Sequence, residues 1–370
     1  MGGRRIFFLL ALLTLCACRA SAGEPVRVRE AGEGNLAFDA RVFLPEKQTC
    51  EVFRAKRREL DGDWALALLR PQNCAEWTKE ERRLATPDTF YSDADEDWLR
   101  VEAGSLSYST RIMRSYEEVL GFMLPYFSIP NAGPAEDSHW DTARDPASDA
   151  APVGSLSFIA PEEAVRRCRE WLAALGVEQE AVLIRCDAVA YRDLLDAAGR
   201  MALEDEMYAD FLRSGKTADI QAFERHFDFY CLTFGFLEDG LWVYGPLEQR
   251  LPERPDVETA LPQSVQILYT ENGIASALLG NLVCRASDGR REEILDFARA
   301  RSIAADFLRA DARNSYTCLQ AYVSYIPVGN YYQDDLTYRP FWNFYLVYES
   351  DGEELYRVLR VDAVSGAVIG

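Results

Sequence analysis

The feature that most constrains the fold is a pair of turn sequences, each flanked by runs rich in β-branched and aromatic residues. Residues 226–246, "HFDFYCLTFGFLEDGLWVYGP", enclose the turn Glu238-Asp239-Gly240, and residues 264–287, "SVQILYTENGIASALLGNLVCRAS", enclose Glu271-Asn272-Gly273. Asn, Asp and Gly tolerate the positive φ angles that tight turns between antiparallel strands require. The sequence therefore predicts two β-hairpins and an antiparallel sheet.

Helical periodicity is clearest in residues 158–176, "FIAPEEAVRRCREWLAALG". Pro161 and Glu162 stand at the front, where a fixed φ and a negative charge are favoured. Gly176 provides a stop signal. One face of the predicted helix collects the apolar side chains of Ala164, Cys168, Trp171, Leu172 and Leu175.

The other segments show either the periodicity of a helix or that of a strand. We expect further helices at residues 115–124, 191–214 and 294–308, and strands at residues 36–43, 105–109, 181–187, 319–326, 342–349 and 356–369, the last broken by a turn at residues 362–366. The predicted class is α+β, with helices packed on antiparallel sheets in two or three modules. Residues 294–311 also align without a gap on residues 158–175, with Ala300 on Ala164, Phe307 on Trp171 and Leu308 on Leu172, which indicates a possible duplication.

The N-terminus has the zones of an export signal: Arg4 and Arg5, an apolar run over residues 6–13, and then small residues. The run is too short to span a bilayer, which takes about 20 apolar residues. Leu15-Cys16-Ala17-Cys18 resembles the lipobox of bacterial lipoproteins. That resemblance implies cleavage before Cys18 and a diacylglyceryl group on its thiol. The alternative is an ordinary secretory signal cut after Ala20 or Ala22.

A lipid on Cys18 would tether the chain to the membrane and leave the rest of it extracytoplasmic, since two or more acyl chains hold a protein stably at a bilayer. The polar stretch "RASAGEPVRVREAGEGN" that follows is typical of a tether. The membrane, reached through this anchor, is thus the first expected partner.

The C-terminal sequence "RPFWNFYLVYESDGEELYRVLRVDAVSGAVIG" consists of a tryptophan that opens a strand, a turn, a second strand and a final hairpin. This arrangement resembles the end of PepSY-type modules and of the related YycH and YycI proteins. "ILYTENGIASALLG" resembles the strand-turn-strand before the helix in the YycI-like group. The whole chain, lipobox included, resembles uncharacterised lipoproteins of gut-type Gram-positive bacteria. The resemblance implies an extracytoplasmic protein that binds or restrains a partner, such as a sensor kinase or a protease.

These signals divide the chain into six segments. They are a lipoprotein signal peptide at 1–17, a tether at 18–35, an N-terminal α+β domain at 36–127, a Pro- and Asp-rich linker at 128–154, a central α+β domain at 155–290, and a PepSY-like domain at 291–370.

Charge and motifs exclude several function classes. The chain carries 40 Lys and Arg against 60 Asp and Glu, so its surface repels nucleic acid. Phosphate-binding, dinucleotide-binding and GxSxG motifs are missing, and the two histidines, His139 and His226, are too few for a multi-histidine metal site. We therefore expect no cofactor, no metal and no enzymatic activity.

Acidic and cysteine residues suggest two further candidate features, a calcium loop and a disulfide. Residues 93–97, "DADED", have alternate carboxylates as a calcium loop does, but Trp98 and Gly104 stand where glycine and glutamate are needed, which favours a solvated acidic loop. Cys50 and Cys74 form the most plausible disulfide, although buried thiols fit equally well, and no CxxC spacing is present.

The loop "VGNYYQDDLTYRP", residues 328–340, is the predicted contact surface, through Tyr331, Tyr332, Asp334, Asp335 and Tyr338. The alternative is a loop folded over its own domain. Trp242 and Tyr244 could stack on sugars if they are exposed, or could belong to the core. The preferred function is a lipid-anchored, non-enzymatic protein that binds or regulates an envelope partner. The alternatives are a glycan hydrolase that uses a carboxylate pair, or a small-ligand or peptide-binding lipoprotein.

Overall fold

The computed structural model describes residues 25–369 except 34, 71–75, 83–86, 115, 118–148, 218, 224–225, 249–258, 263, 312, 331–334 and 351. Cys16, Cys18, Cys74, His139 and the greater part of the predicted helix at 115–124 therefore lie outside the described residues. In the described part, none of the helices is long and apolar enough to cross a membrane.

Antiparallel strands form one half of the structure. These are β4 (Thr78–Arg82), β5 (Asp88–Ser92), β6 (Trp98–Glu102), β7 (Ser105–Ser109), β8 (Glu180–Val189), β9 (Phe229–Glu238), β12 (Ser264–Thr270) and β13 (Gly273–Gly280). They pair in the order β4-β5-β6-β7-β13-β12-β9-β8. The hairpin that the Asn272-Gly273 turn predicted is present as β12–β13, and it lies in the middle of this sheet.

The other half is built on three long C-terminal strands, β16 (Tyr316–Asn330), β17 (Asp335–Ser350) and β18 (Glu353–Asp362), which pair in sequence order and end in β19 (Val368–Ile369). The opposite side of β16 is lined by β2 (Leu36–Phe43), which also pairs with β1 (Val26–Glu33), and by β10 (Leu241–Glu248). β3 (Thr49–Arg57) pairs with β17, β14 (Val283–Arg285) and β15 (Arg290–Glu293), and β11 (Thr259–Pro262) pairs with β10.

Five helices with described bounds pack on these sheets: α1 (Gly62–Leu69), α2 (Pro161–Ala174), α3 (Tyr191–Glu204), α4 (Glu206–Ser214) and α5 (Phe297–Leu308). Helix α2 covers the first sheet with its buried face, and α5 covers the second. The predicted α+β class, with helices packed on antiparallel sheets, is confirmed.

The single helix predicted at residues 191–214 is two helices. Asp205 adopts an extended conformation (φ −111°, ψ 105°) between them, and its carboxylate accepts a hydrogen bond of 3.0 Å from the backbone N–H of Tyr208. Aspartate competes for backbone donors in this way and therefore favours caps over helix interiors.

The suggested repeat of residues 158–175 in residues 294–311 shows equal burial at two of the three aligned pairs. Ala164 and Ala300 are both fully buried, and Leu172 and Leu308 are each 1% exposed. Trp171 is 7% exposed, whereas its counterpart Phe307 is 41% exposed. The two helices therefore bury apolar residues at equivalent positions, but α5 presents a narrower buried face.

Segments that are separate along the chain share sheets in space. β2 pairs in parallel with the first half of β16, and β7 pairs with β13. The stretch at 36–109 thus contributes strands both to the central part of the chain and to the C-terminal part.

Candidate functional site

The described surface has a groove between α2, the start of β8 and residues 149–152, which we call the α2 groove. It consists of two adjoining cavities of about 560 and 500 Å³ that share Asp149, Arg169 and Ala173 as lining residues. Volumes of this size are in the range of ligand-binding clefts. Its other lining residues are Ala150, Pro152, Glu162, Val165, Arg166, Glu170, Leu172, Val177, Glu178, Gln179, Glu180, Ala181, Val182 and Leu183.

Asp149 fixes the middle of the groove. Its Oδ1 accepts hydrogen bonds from Arg169 Nη2 at 2.5 Å and from the backbone N–H of Leu183 at 2.7 Å. Arg169 Nε in turn donates to the carbonyl oxygen of Ala181 at 3.0 Å. The ion pair is half exposed on the carboxylate side, so water screens it, and its contribution to stability is modest.

The chain next to Asp149 runs alongside the edge strand β8. The N–H groups of Ala150 and Val153 donate to the carbonyl oxygens of Leu183 and Cys186, each at 2.7 Å, and Ala188 N–H returns a bond of 2.9 Å to Val153. An edge strand presents unpaired backbone groups that invite pairing with other chains. Residues 149–153 satisfy such groups at Leu183, Cys186 and Ala188, so along this stretch the side chains determine what the groove binds.

The charge in the α2 groove is negative. Five carboxylates line it, those of Asp149, Glu162, Glu170, Glu178 and Glu180, against the guanidinium groups of Arg166 and Arg169. Glu178 and Glu180 are exposed at one end. An excess of three negative charges along a narrow surface attracts basic groups and repels acidic ones.

A third cavity of about 350 Å³, here called the hairpin pocket, lies between the 93–97 turn and the β12–β13 hairpin. Its charged lining residues are Arg70, Asp95, Asp97 and Arg111, its neutral polar ones are Thr110, Thr270 and Asn272, and its apolar ones are Ile112, Met113, Phe227, Ile274 and Ala275.

The acidic 93–97 segment is a turn that its own carboxylates hold. Asp93 Oδ1 accepts the backbone N–H groups of Asp95 at 3.0 Å and Asp97 at 2.9 Å, and Glu96 has a φ of 64°. Asp97 Oδ2 pairs with Arg70 at 2.9 Å, and Asp97 Oδ1 accepts the N–H of Arg111 at 2.8 Å. These bonds give the carboxylates of Asp93 and Asp97 a structural role in the turn. Among the described residues, no group of three metal-ligating side chains is present.

One residue of the predicted contact loop requires a correction. Tyr338 is fully buried, its ring stacks on Phe53 with centroids 5.3 Å apart, and its hydroxyl donates to the carbonyl oxygen of Tyr244 at 3.0 Å. Tyr338 therefore belongs to the core, because alternation along β17 directs its side chain inward. Asp335 begins β17, and its side chain, like Tyr331, Tyr332 and Asp334, lies outside what the structure describes.

The other aromatics considered for sugar stacking are also internal. Trp242 is 1% exposed and Tyr244 is fully buried, within a core that also contains Tyr322. The hydroxyls of Tyr244 and Tyr322 are 2.6 Å apart, and burial raises the pKa of Tyr244 to about 12. The core interpretation of these two aromatics is therefore the correct one.

The buried cysteines of the described part are structural thiols. Cys50, Cys168, Cys186, Cys231, Cys284 and Cys318 are not in disulfides. Burial raises the pKa of Cys50 to about 11 and the pKa values of Cys186 and Cys231 to about 12. A thiol with such a pKa is protonated at neutral pH and is a poor nucleophile. The suggested partner of Cys50, Cys74, lies outside the described residues.

Sequence reasoning did not identify the α2 groove. The helical pattern of α2 predicted its buried face, but the groove also needs Asp149, which the sequence placed in a linker, and residues 177–182, which lead from the end of α2 into β8. No local pattern signals that these three segments meet.

Comparisons with known proteins support the overall fold. An uncharacterised protein from Eubacterium rectale has a similar structure, with a TM-score of 0.56, 14% sequence identity and 91% of each chain covered. A YpeB C-terminal domain from Bacillus megaterium matches at a TM-score of 0.29 and 8% identity, over 85% of this chain and 97% of that domain, which is too low to carry an argument. No family model and no curated protein sequence matches the chain.

Proposed function

We propose that this protein is a lipid-anchored, extracytoplasmic binding protein without enzymatic activity. Its α2 groove would hold an extended, basic segment of a membrane or exported partner, and through that contact would regulate the partner. The observation that carries the proposal is the groove itself, about 560 and 500 Å³ on either side of the Asp149–Arg169 pair, with an excess of three carboxylates.

Charge complementarity selects the occupant. A segment with Lys or Arg side chains gains from the carboxylates of Glu178 and Glu180 at one end and Glu162 and Glu170 along the helix. An acidic segment would be repelled both by the groove and by the formal charge of −20 on the chain. The partner's contact is therefore expected to be basic and its binding to weaken with salt.

Reversing the charge at one end of the groove should weaken partner binding. We expect the variant Glu178→Lys/Glu180→Lys to recover at least tenfold less partner than the wild type from detergent-solubilised membranes, because a basic segment would meet four changed units of charge. Quantitative mass spectrometry of tagged full-length chains measures the recovery, and the purified partner must show the same preference.

The matched control is Asp196→Lys/Glu204→Lys, which changes the net charge equally at two exposed positions of α3. This control should retain partner binding. Equal recovery by both double variants, or repeated recovery of the wild-type chain with no stoichiometric partner, would refute docking in the groove.

The proposed lipid anchor on Cys18 is tested by separate variants. Cys18→Ser should abolish lipidation and release the protein from the membrane fraction, while Cys16→Ser should leave it attached, because only Cys18 follows the small residue that the lipobox pattern needs. Intact-mass measurement of the mature chain should find a diacylglyceryl group on an N-terminal Cys18. An unmodified N-terminus downstream of residue 18 would contradict the anchor and leave the groove to be judged separately.

The hydrolase alternative finds no support in the carboxylates of the hairpin pocket. A glycosidase needs one carboxyl group that donates a proton and a second that acts as base or nucleophile. Both oxygens of Asp97 already accept hydrogen bonds, from Arg70 and from the N–H of Arg111. Asp97 therefore has a structural role, which leaves Asp95 without a catalytic partner in this pocket.

A further inference from the structure

The turn between β12 and β13 places an exposed asparagine directly before a glycine. Asn272 is exposed, and Gly273 is the first residue of β13, with a φ of 97°. A Cβ built on Gly273 would have no atom of another residue beyond its chain neighbours within 4 Å. The space around the backbone nitrogen of Gly273 is therefore open, and glycine carries no side chain to shield that nitrogen from the Asn272 amide.

The other described asparagines differ from Asn272 in neighbour or in bonding. Asn272 is the only asparagine of the chain that is followed by glycine. Asn35 Nδ2 donates to three carbonyl oxygens at 2.6–3.0 Å, and Asn314 Nδ2 donates to a carboxylate oxygen at 3.0 Å. Asn343 is fully buried, and Asn281 is followed by leucine. An amide that is held by hydrogen bonds or followed by a bulky residue cannot easily turn toward the next backbone nitrogen.

We propose that Asn272 is a site of spontaneous deamidation. The backbone nitrogen of Gly273 loses its proton to hydroxide and attacks Cγ of Asn272, and the new N–Cγ bond closes a five-membered ring. The Cγ–Nδ2 bond breaks, and Nδ2 takes up a proton and leaves as ammonia. One water molecule then opens the ring at either of its two carbonyl groups, which gives aspartate or isoaspartate at position 272.

The modification changes both charge and backbone at this turn. Either product adds a carboxylate to the lining of the hairpin pocket, whose charged lining residues are two arginines and two aspartates. Isoaspartate also adds one methylene to the backbone between Thr270 and Gly273, which pair across the hairpin. Because β12 and β13 also pair with β9 and β7, an altered register at their turn should destabilise the first sheet.

Peptide mass spectrometry of the purified full-length chain, incubated at 37 °C and at pH 6 or pH 9, tests the site. Conversion at Asn272 should be at least tenfold faster than at Asn35 or Asn314, and at least tenfold faster at pH 9 than at pH 6, because the attacking nitrogen must lose a proton. Isoaspartate should be present among the products, since water can open the ring on either side.

Variants connect the modification to stability. After incubation at pH 9 the wild type should lose at least about 2 °C of Tm, whereas Asn272→Gln should lose none, because a glutamine would have to close a larger ring. Asn281→Gly is the matched control: it removes another asparagine near β13, at a φ of 59° that glycine tolerates, and it should lose as much Tm as the wild type.

Three results would overturn the proposal. They are conversion at Asn272 no faster than at Asn35 and Asn314, aspartate as the sole product, and an equal loss of Tm in the wild type and Asn272→Gln. Asn272 is not among the lining residues of the α2 groove, so none of these results bears on the proposed partner site.

Discussion

Replacing Gly235 with alanine should lower the free energy of unfolding by about 3 kcal/mol. Gly235 is buried in β9, and the ring of Trp242 lies directly over its Cα. A Cβ at this position would lie 2.6 Å from Trp242 Cζ2 and closer still to Cη2. Trp242 is 1% exposed and packed between the two halves of the structure, so its ring cannot move aside without disturbing that core.

Urea denaturation at pH 7 measures this effect, with Gly199→Ala as the matched control. Gly199 is exposed in α3, and a Cβ there has no atom within 4 Å. The control should gain about 0.5–1 kcal/mol, because alanine loses less backbone entropy in a helix.

A double variant identifies the cause. Trp242→Phe removes the part of the ring that lies over Gly235, so Gly235→Ala should cost at least about 1 kcal/mol less in that background than in the wild type. If Gly235→Ala is as stable as the wild type, the contact with Trp242 does not exclude a Cβ at this position. The same conclusion follows if the losses of unfolding free energy from the two single substitutions add in the double variant.

Replacing Asp362 with alanine in the wild-type chain should lower the free energy of unfolding by about 3 kcal/mol. The Asp362 carboxylate is 6% exposed and accepts hydrogen bonds from Arg339 Nε at 2.6 Å and from the backbone N–H groups of Val364 at 2.9 Å and Ser365 at 2.8 Å. Its removal leaves three donors without that acceptor, of which the two N–H groups hold the turn to β19. Asp306→Ala, which breaks an exposed pair with Arg309, is the control and should cost less than about 1 kcal/mol.

This site also makes stability depend on pH. Burial disfavours the charged form of Asp362, but the bonds from Arg339, Ser365 and Val364 outweigh it, so the pKa of Asp362 lies below its ordinary value. A carboxyl group with a lowered pKa in the folded state stabilises the protein above the pKa of the unfolded chain, about 3.9, and this contribution disappears as pH falls through the folded pKa.

The difference in unfolding free energy between the wild type and Asp362→Asn should therefore be constant from pH 7 to 5 and shrink below about pH 4. Denaturation curves for both proteins at several pH values measure it. A difference that does not change down to pH 2 would mean that the charge of Asp362 does not contribute.

The same C-terminal turn shows how far local sequence can predict structure. The sequence predicted a final hairpin here, and in its turn the Asp362 carboxylate binds the backbone N–H groups of Val364 and Ser365 while Gly366 has a φ of 77°. The hairpin at Asn272-Gly273 and the helix that begins at Pro161 were predicted for the same reason. In each case the determining contacts lie within a few residues along the chain.

Tyr338 shows where local sequence fails. Its neighbourhood of tyrosines and aspartates is typical of an exposed loop, but β17 extends from Asp335 and pairs with β3, nearly 300 residues earlier in the chain. That pairing buries Tyr338 against Phe53. A residue at the end of a strand is exposed or buried according to which other strand covers it, and the adjacent sequence carries no information on that partner.

The sequence by itself determined the α+β class, the main hairpins and the buried face of α2, because turn chemistry and hydrophobic period act over a few residues. Only the tertiary structure decided that β2 lies beside β16, that Asp149 reaches Arg169 and Leu183, and that the 93–97 turn meets the β12–β13 hairpin. Both candidate sites arise from such meetings of distant segments, which depend on how all the apolar faces are buried together.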